Sequence, residues 1–106
     1  MTTASRSADR WRKLGYMAQV VESYRGPMRY DLFGIGDTLA MDPKTGEKFL
    51  IQAYADTKAN IEKHSHMTME HPAVKAWCAE GKSVFMHEAW KKIKGRWQHR
   101  VVLICG

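Results

Sequence analysis

The sequence predicts an α/β fold in one domain, residues 1–106. Three patterns predict it: apolar residues at helical spacing near the start, short apolar runs around a turn signal in the middle, and a helical pattern followed by two further apolar runs. A chain of this length buries roughly two-thirds of the surface that its unfolded form exposes, so it can form one core without cross-links. The predicted element order is α-β-β-β-α-α-β-β, and we expect residues 1–8 to be flexible.

The first predicted helix follows Ser7 or Asp9, either of which can serve as its N-cap. Gly26-Pro27 ends it. Glu22 lies at the edge of the apolar stripe, so its carboxylate can reach the rim of the sheet that the helix covers. The apolar residues of the stripe are Trp11, Leu14, Ala18, Val21 and Tyr24.

Three apolar runs follow, RYDLFGI, DTLAMD and KFLIQAY, and the turn signal DPKTGE separates the last two. They predict a meander of three strands. From Asp56 the pattern becomes helical, with Asp56 or Thr57 as the cap, and His71-Pro72 divides it into two helices that end at Gly81. The runs KSVFMHEAW and RWQHRVVLI predict two more strands, joined by KKIKG. Trp97, Val101 and Leu103 alternate as a buried strand face would.

The chain is basic, with 17 Lys and Arg against 11 Asp and Glu and a formal net charge of +6. This balance favours a polyanionic partner, through electrostatic steering and counterion release. Near the C-terminus a group of cations has no acidic residue beside it, and we expect this group to contact DNA. Its members are Lys91, Lys92, Lys94 and Arg96.

Cys78 and Cys105 lie far apart and neither belongs to a C-x-x-C motif, so the sequence indicates neither a disulfide framework nor a zinc ribbon. The start, MTTASRSADR, lacks the apolar segment of a signal peptide, and no run reaches the roughly 18 apolar residues that would span a membrane. These features predict a protein of a reducing cytoplasm with no membrane partner.

Each strand flanking DPKTGE carries one polar residue in an apolar run, Asp37 in the first and Gln52 in the second. A four-residue loop PKTG places Leu39 opposite Leu50, and therefore Asp37 opposite Gln52. Directly opposite residues point to one face with Cβ atoms roughly 4.5 to 5.5 Å apart. A carboxylate and an amide carbonyl are ligands that Mg²⁺ accepts, and Glu22 is a third candidate.

Structural roles are the alternative for each of these residues. Asp37 can shape a turn after Gly36, Gln52 can be a hydrogen-bonded core amide, and Glu22 can be a solvated helix carboxylate. Asp31, six residues before Asp37, is interpreted as a strand-end or turn residue.

The chain resembles the PD-(D/E)XK nuclease superfamily, which includes Holliday-junction resolvases and VRR-NUC domains. The resemblance lies in the element order α-β-β-β-α-β and in three polar residues: an acid in helix one, Asp at the start of the second strand and Gln in the third. The likeness runs from about Trp11 to Ile104. The segments that carry it are RYDLFGIGDTLAM, LIQAY and HPAVKAWCAEGKSVFMHEAWKKIKGRWQHR. The chain is most similar to small phage and bacterial members.

The resemblance implies a restriction-endonuclease-like αβββαβ core, with a central mixed sheet flanked by helices. It implies that Asp37, Gln52 and Glu22 bind Mg²⁺ or Mn²⁺ and that the protein hydrolyses phosphodiester bonds in DNA, including branched DNA. It also implies a place in the cytoplasm of a bacterium or of a phage-infected host. A homodimer is expected, because cleavage of two strands needs two sites.

The chain departs from the family at one position. The family's lysine follows two residues after the position of Gln52, where this chain has Tyr54. Lys58, at the start of the next predicted helix, is the candidate to replace it. Two alternatives to a nuclease therefore stay open: a nucleic-acid-binding module with a decayed site, and a small basic interaction or regulatory protein.

Overall fold

A computed structural model describes residues 1–79, 81 and 83–106. The described chain is a mixed α/β fold with three helices and seven strands. In chain order the elements are α1 (Thr3–Lys13), β1 (Met17–Val20), β2 (Ser23–Arg25), β3 (Met28–Tyr30), β4 (Thr38–Met41), β5 (Lys48–Ala55), α2 (Lys58–Lys63), α3 (Pro72–Trp77), β6 (Ser83–Ile93) and β7 (Arg96–Cys105). Lys82, the first residue of the predicted run KSVFMHEAW, lies outside the described residues.

Five strands form one mixed sheet in the order β1-β4-β5-β6-β7. Neighbouring strands are antiparallel except β5 and β6, which are parallel. Parallel neighbours need a crossover connection, and α2 and α3 provide it. The strands β2 and β3 pair only with each other, as a separate hairpin between β1 and β4.

Helices cover both faces of the sheet. On one face Trp11 of α1 packs with Phe49, Ile51 and Met86. On the other face Val74 of α3 packs with Leu50, among others. Alternate residues of β5 point to opposite faces, so both of its faces are buried between Phe49 and Tyr54.

The helix α1 begins earlier than the sequence predicts. Thr2 is its N-cap, with the side-chain oxygen accepting a hydrogen bond from the Ser5 N–H at 3.1 Å. Ala4, Ser7 and Ala8 are buried against the sheet. The expectation that residues 1–8 are flexible is therefore wrong for the helical part of that segment, because small side chains let the helix approach the sheet closely.

The predicted extension of this helix to Tyr24 is also wrong. α1 ends after Lys13, and Gly15 follows with a positive φ of 95°, a conformation that favours glycine and terminates helices. The residues beyond Gly15 form β1 and β2 instead. Glu22 therefore lies between two strands and not on helix one.

The run RYDLFGI does not form the predicted strand. Only Met28–Tyr30 is extended, and it pairs with β2 around the turn at Gly26. The chain then turns through Phe33 and Gly34, both with positive φ, and a single bridge joins Leu32 to Gly36. The first strand of the predicted meander, RYDLFGI, is replaced by β1, which pairs with β4.

The register predicted around DPKTGE is confirmed. Leu39 pairs with Leu50 and Thr38 with Ile51, and the Asp37 N–H donates to the Ile51 carbonyl at 2.9 Å. The next pair in this register is Asp37 and Gln52. The predicted β6 and β7 are also confirmed, joined by a two-residue turn at Lys94-Gly95.

The strand β7 forms an edge of the sheet, and its apolar residues differ from the prediction. Trp97, Val101 and Leu103 were expected on a buried face, but all three are exposed. The reason is that α1 packs on β1, β4 and β5, and leaves the outermost strand uncovered.

Cys78 and Cys105 form a disulfide that joins the end of α3 to the end of β7, with Cα atoms 6.1 Å apart. The expectation of unpaired cysteines is wrong, because 27 residues of sequence separation say nothing about distance in the fold. None of the helices in the described part of the chain has the length and apolar character needed to cross a membrane.

Candidate metal centre

Three carboxylates meet at one side of the sheet. Glu22, Asp31 and Asp37 each contribute an oxygen, and these oxygens lie within 4.8 Å of one another. All three side chains are shielded from water: the exposed fraction is 5% for Glu22, 11% for Asp31 and 1% for Asp37. Carboxylates held together in such an environment repel one another and favour a cation between them. We refer to these three residues as the carboxylate cluster.

The loops around the β2–β3 hairpin bring the cluster together. Glu22 precedes β2 and Asp31 follows β3, so the two acids lie at the two ends of the hairpin. Asp37 precedes β4, and its carbonyl accepts a hydrogen bond from the Val21 N–H at 2.8 Å. Gly36 is needed here, because a Cβ atom at this position would lie 2.4 Å from Leu50 Cγ.

Asp37 is held on the edge of β5. Its two carboxylate oxygens lie 3.2 and 3.1 Å from the Ala53 N–H, which donates to them, and the Thr38 hydroxyl donates at 3.0 Å. Burial nevertheless dominates and raises the pKa of Asp37 to about 8. Without a cation in the cluster, this carboxyl group is therefore mostly protonated at neutral pH.

Gln52 contacts the cluster through its amide nitrogen, and not through the carbonyl oxygen that the sequence predicts as a metal ligand. Nε2 donates to Asp31 Oδ2 at 2.8 Å and to the Ile35 carbonyl at 3.1 Å. The side chain is fully buried. Its Oε1 has no hydrogen-bond partner among the described residues, and neither do Glu22 Oε2 and Asp31 Oδ1. An unpaired buried acceptor is costly, and a cation bound between Glu22 and Asp31 would satisfy the two carboxylate oxygens among them.

The donor set fits a hard divalent cation. Three carboxylates suit Mg²⁺, Mn²⁺ or Ca²⁺ better than a softer metal. Two ligands of Mg²⁺ at about 2.1 Å lie at most about 4.2 Å apart, which is close to the 4.8 Å within which the three carboxylate oxygens lie.

Among the described residues, the cation that forms ion pairs with the cluster is Arg29. Arg29 on β3 has Nη1 3.6 Å from Glu22 Oε2 and Nε 3.8 Å from Asp31 Oδ1. These are ion pairs at longer than hydrogen-bond distance. The Arg29 side chain is 41% exposed, so its guanidinium group lies where the cluster meets solvent.

Tyr54, at the position where the resemblance implies a lysine, is buried next to histidines. Its hydroxyl lies 3.0 Å from His87 Nδ1, and the His87 Nε2 lies 2.9 Å from the Met67 carbonyl. The carbonyl can only accept, so Nε2 carries the proton and Tyr54 donates to Nδ1. His64 stacks on the Tyr54 ring, with ring centroids 4.5 Å apart. Burial raises the pKa of Tyr54 and lowers the pKa values of His64 and His87, so this group is neutral.

The structure places the predicted site residues as follows. Asp37 and Glu22 are in the carboxylate cluster and Gln52 contacts it. Lys58 is exposed at the first position of α2, and its side chain makes no hydrogen bond or ion pair with the rest of the described chain. The predicted DNA-contacting cations, Lys91, Lys92, Lys94 and Arg96, are all exposed at the tip of the β6–β7 hairpin.

Sequence reasoning missed two residues of the site, Asp31 and Arg29. Both lie in the run RYDLFGI, which the sequence presents as a sheet strand, and a strand-end aspartate is unremarkable there. The sequence did contain one signal that the two residues act together. Arg29 and Asp31 are two positions apart, and residues at that spacing lie on the same side of an extended chain.

Comparison of the chain with models of protein families, with curated proteins and with solved structures gave no match. The carboxylate cluster and its surroundings are therefore interpreted from their own chemistry.

Proposed function

We propose that the protein is a metal-dependent nuclease that hydrolyses phosphodiester bonds in DNA, with branched or junction DNA as its substrate class. The observation that carries the proposal is the carboxylate cluster, with its unpaired oxygen atoms and its contact to Gln52. Burying several carboxylates together costs free energy unless a cation compensates them. The cluster therefore favours a divalent cation.

The order of the sheet elements supports the proposal. α1 precedes β1, β4 and β5, and α2 and α3 lead from β5 to the parallel strand β6. This is the order αβββαβ of the restriction-endonuclease-like core that the resemblance implies. In this interpretation the β2–β3 hairpin is an insertion and β7 an added edge strand.

The residues of the cluster have separate tasks in the proposed reaction. Bound Mg²⁺ would lower the pKa of a water ligand and neutralise charge on the scissile phosphate. Glu22, Asp31 and Asp37 would supply carboxylate oxygens. Gln52 orients Asp31 through its amide N–H. The Ala53 N–H and the Thr38 hydroxyl fix the carboxylate of Asp37.

The test is cleavage of linear duplex, single-stranded and four-way-junction DNA with and without Mg²⁺ or Mn²⁺. We expect cleavage only with metal, and a loss of about 10²-fold or more in Asp31→Asn, because this change removes a ligand and its charge. Asp9→Asn, an exposed aspartate on α1, is the matched control and should cleave like the wild type. Lys58→Ala should also retain cleavage, because Lys58 does not contact the cluster.

A second candidate function is a nucleic-acid-binding module without catalysis. Tyr54 in place of the family's lysine favours it. Metal-independent DNA binding with no cleavage of any substrate would support this alternative. Weak binding that does not depend on salt would instead support the third, a small interaction or regulatory protein.

The proposed DNA surface is the tip of the β6–β7 hairpin. β5 ends at Ala55, which pairs with Trp90 of β6. β6 and β7 continue as a pair beyond this point, so the tip of their hairpin projects past the end of β5. If Lys92 and Lys94 contact phosphates, replacing both by Gln should reduce the slope of log affinity against log salt by about 0.9 for each. Fluorescence anisotropy with a labelled duplex over a salt series measures this slope.

Lys44 and Lys48 provide the matched control for the hairpin. They lie at the opposite end of the sheet, around the β4–β5 turn, and their double replacement by Gln makes the same change in net charge. A slope reduced equally by both pairs would show that only the net charge matters and would contradict the hairpin as the DNA surface.

The homodimer and the cytoplasmic location stay predictions. For a homodimer, the uncovered edge strand β7 offers backbone groups and exposed apolar side chains with which a second copy could pair. For the location, the Cys78–Cys105 disulfide is a feature more typical of oxidising compartments.

A further inference from the structure

We infer that Arg29 contacts the scissile phosphate and supplies the positive charge for which this chain has no lysine two residues after Gln52. The inference rests on the proposed nuclease function and deepens it, since it assigns one further catalytic residue. It is carried by the position of Arg29 at the carboxylate cluster and by the unused hydrogen-bonding capacity of its guanidinium group.

Arg29 holds its charge at the cluster without committing its N–H groups. Its contacts to Glu22 and Asp31, at 3.6 and 3.8 Å, are longer than hydrogen bonds. The two oxygens that face it, Glu22 Oε2 and Asp31 Oδ1, have no hydrogen-bond partner in the described chain. The guanidinium group is partly exposed, so its N–H groups can donate to a ligand that approaches from solvent.

The β2–β3 hairpin directs Arg29 towards the cluster. Tyr24 pairs with Arg29 across the hairpin, and directly opposite residues point to the same face. The Tyr24 hydroxyl donates to Glu22 Oε1 at 3.4 Å, which confirms that this face is turned to the cluster. Arg25 pairs with Met28 and is on the other face.

The two other candidates for the lysine's role are poorly placed. Tyr54 is neutral and its hydroxyl is engaged with His87. Lys58 is exposed at the start of α2 and takes part in none of the ion pairs of the cluster. Among the ion pairs of the described residues, those of Arg29 are the ones that involve the cluster.

The chemistry of the proposed step suits a guanidinium group. In hydrolysis a water oxygen forms a bond to phosphorus, the bond from phosphorus to the leaving sugar oxygen breaks, the water gives a proton to solvent and the leaving oxygen receives one. Negative charge increases on the phosphate oxygens that do not leave. The planar fork of Arg can donate two hydrogen bonds to these oxygens, and a donor placed there stabilises the transition state.

The test compares Arg29→Ala and Arg29→Lys with the wild type in two measurements. The first is the rate of DNA cleavage at saturating Mn²⁺, for which we expect a loss of about 10²- to 10³-fold in Arg29→Ala and partial recovery in Arg29→Lys. The second is Mn²⁺ affinity without DNA, measured by electron paramagnetic resonance. Removing a neighbouring positive charge should leave this affinity unchanged or make it tighter.

Arg25→Ala is the matched control, because it removes the same charge from the same hairpin on the face that points away from the cluster. It should leave both measurements near those of the wild type. Circular dichroism of each variant shows whether the fold is retained.

Two results would overturn the inference alone. One is wild-type cleavage by Arg29→Ala. The other is a loss of cleavage that follows from weaker Mn²⁺ binding, which would make Arg29 a support of the carboxylates and not a contact of the phosphate. Failure of the wild type to cleave any DNA with metal would instead overturn the proposed function, and this inference with it.

Discussion

Asp37→Asn is expected to abolish metal-dependent cleavage and, at the same time, to stabilise the metal-free protein above neutral pH. The carboxylate cluster loses an oxygen ligand and a negative charge, so the transition state loses several kcal/mol of stabilisation, and the cleavage rate should fall by at least about 10³-fold. Mn²⁺ affinity in the absence of DNA should fall with it.

The effect of Asp37→Asn on stability follows from the raised pKa of this carboxyl group. The folded, metal-free protein keeps the proton up to about pH 8, whereas the unfolded chain releases it near the ordinary value of about 4. As the pH rises between these values, the unfolded state is favoured by up to about 1.4 kcal/mol per pH unit. Asparagine has no proton to lose, so the variant should not show this decrease.

Urea unfolding of metal-free wild type and Asp37→Asn, at about pH 5 and about pH 8, measures this difference. Between about pH 5 and about pH 8 we expect the free energy of unfolding of the wild type to fall, relative to that of the variant, by on the order of 3 to 4 kcal/mol. Asp9→Asn is the control, with an exposed aspartate that should give parallel curves. Parallel curves for Asp37→Asn as well would contradict the raised pKa.

The same pKa predicts the pH dependence of metal binding. A cation requires the ionised carboxylate, so metal binding must release the proton of Asp37. Mn²⁺ affinity of the wild type should therefore fall by up to about tenfold for each pH unit below about 8.

Glu88→Ala is expected to produce the largest loss of stability. Glu88 is fully buried on β6 and accepts hydrogen bonds from Ser7, Arg10 and Trp11 of α1. Trp90 also donates to the Ser7 hydroxyl, at 2.8 Å. Removing the carboxylate leaves the donors of α1 facing a cavity, and the Arg10 cation is left without its partner.

Breaking a buried ion pair from one side typically costs about 3 to 5 kcal/mol. For a domain of this size each kcal/mol lowers the melting temperature by about 4 to 8 °C. Urea and thermal unfolding measure both quantities. Glu62→Ala is the control, because Glu62 is exposed on α2 and its loss should change stability by less than about 0.5 kcal/mol.

A cost below about 1 kcal/mol for Glu88→Ala would show that water replaces the carboxylate, and that the other contacts of α1 are sufficient to hold it on the sheet. Glu88→Gln separates charge from hydrogen bonding. It keeps one acceptor for the α1 donors but leaves Arg10 unpaired, so its stability should fall between those of the wild type and Glu88→Ala.

Local patterns in the sequence determined several parts of this protein. The turn DPKTGE and the alternation around it determine the register of β4 and β5, and with it the opposition of Asp37 and Gln52. The runs near the C-terminus determine β6, β7 and the cationic tip between them. These features depend on residues close in sequence, where turn chemistry and side-chain periodicity act directly.

Helical spacing gave a wrong prediction where the same residues fit both a helical and a strand period. Ala18 and Val21 fit a helical stripe that begins at Trp11, but Gly15 ends the helix and the chain continues as β1. The choice depended on whether β4 had an edge available for pairing, which is a property of the assembled sheet.

The sequence by itself determined the candidate acid Asp37, its partner Gln52 and the basic character of the chain. Only the tertiary structure decided that Asp31 joins Glu22 and Asp37, that Arg29 lies beside them, and that Cys78 meets Cys105. The physical reason is that these groupings depend on where the hairpin and the chain ends pack. Burial, which raises the pKa of Asp37 and leaves acceptors unpaired, exists only once that packing is complete.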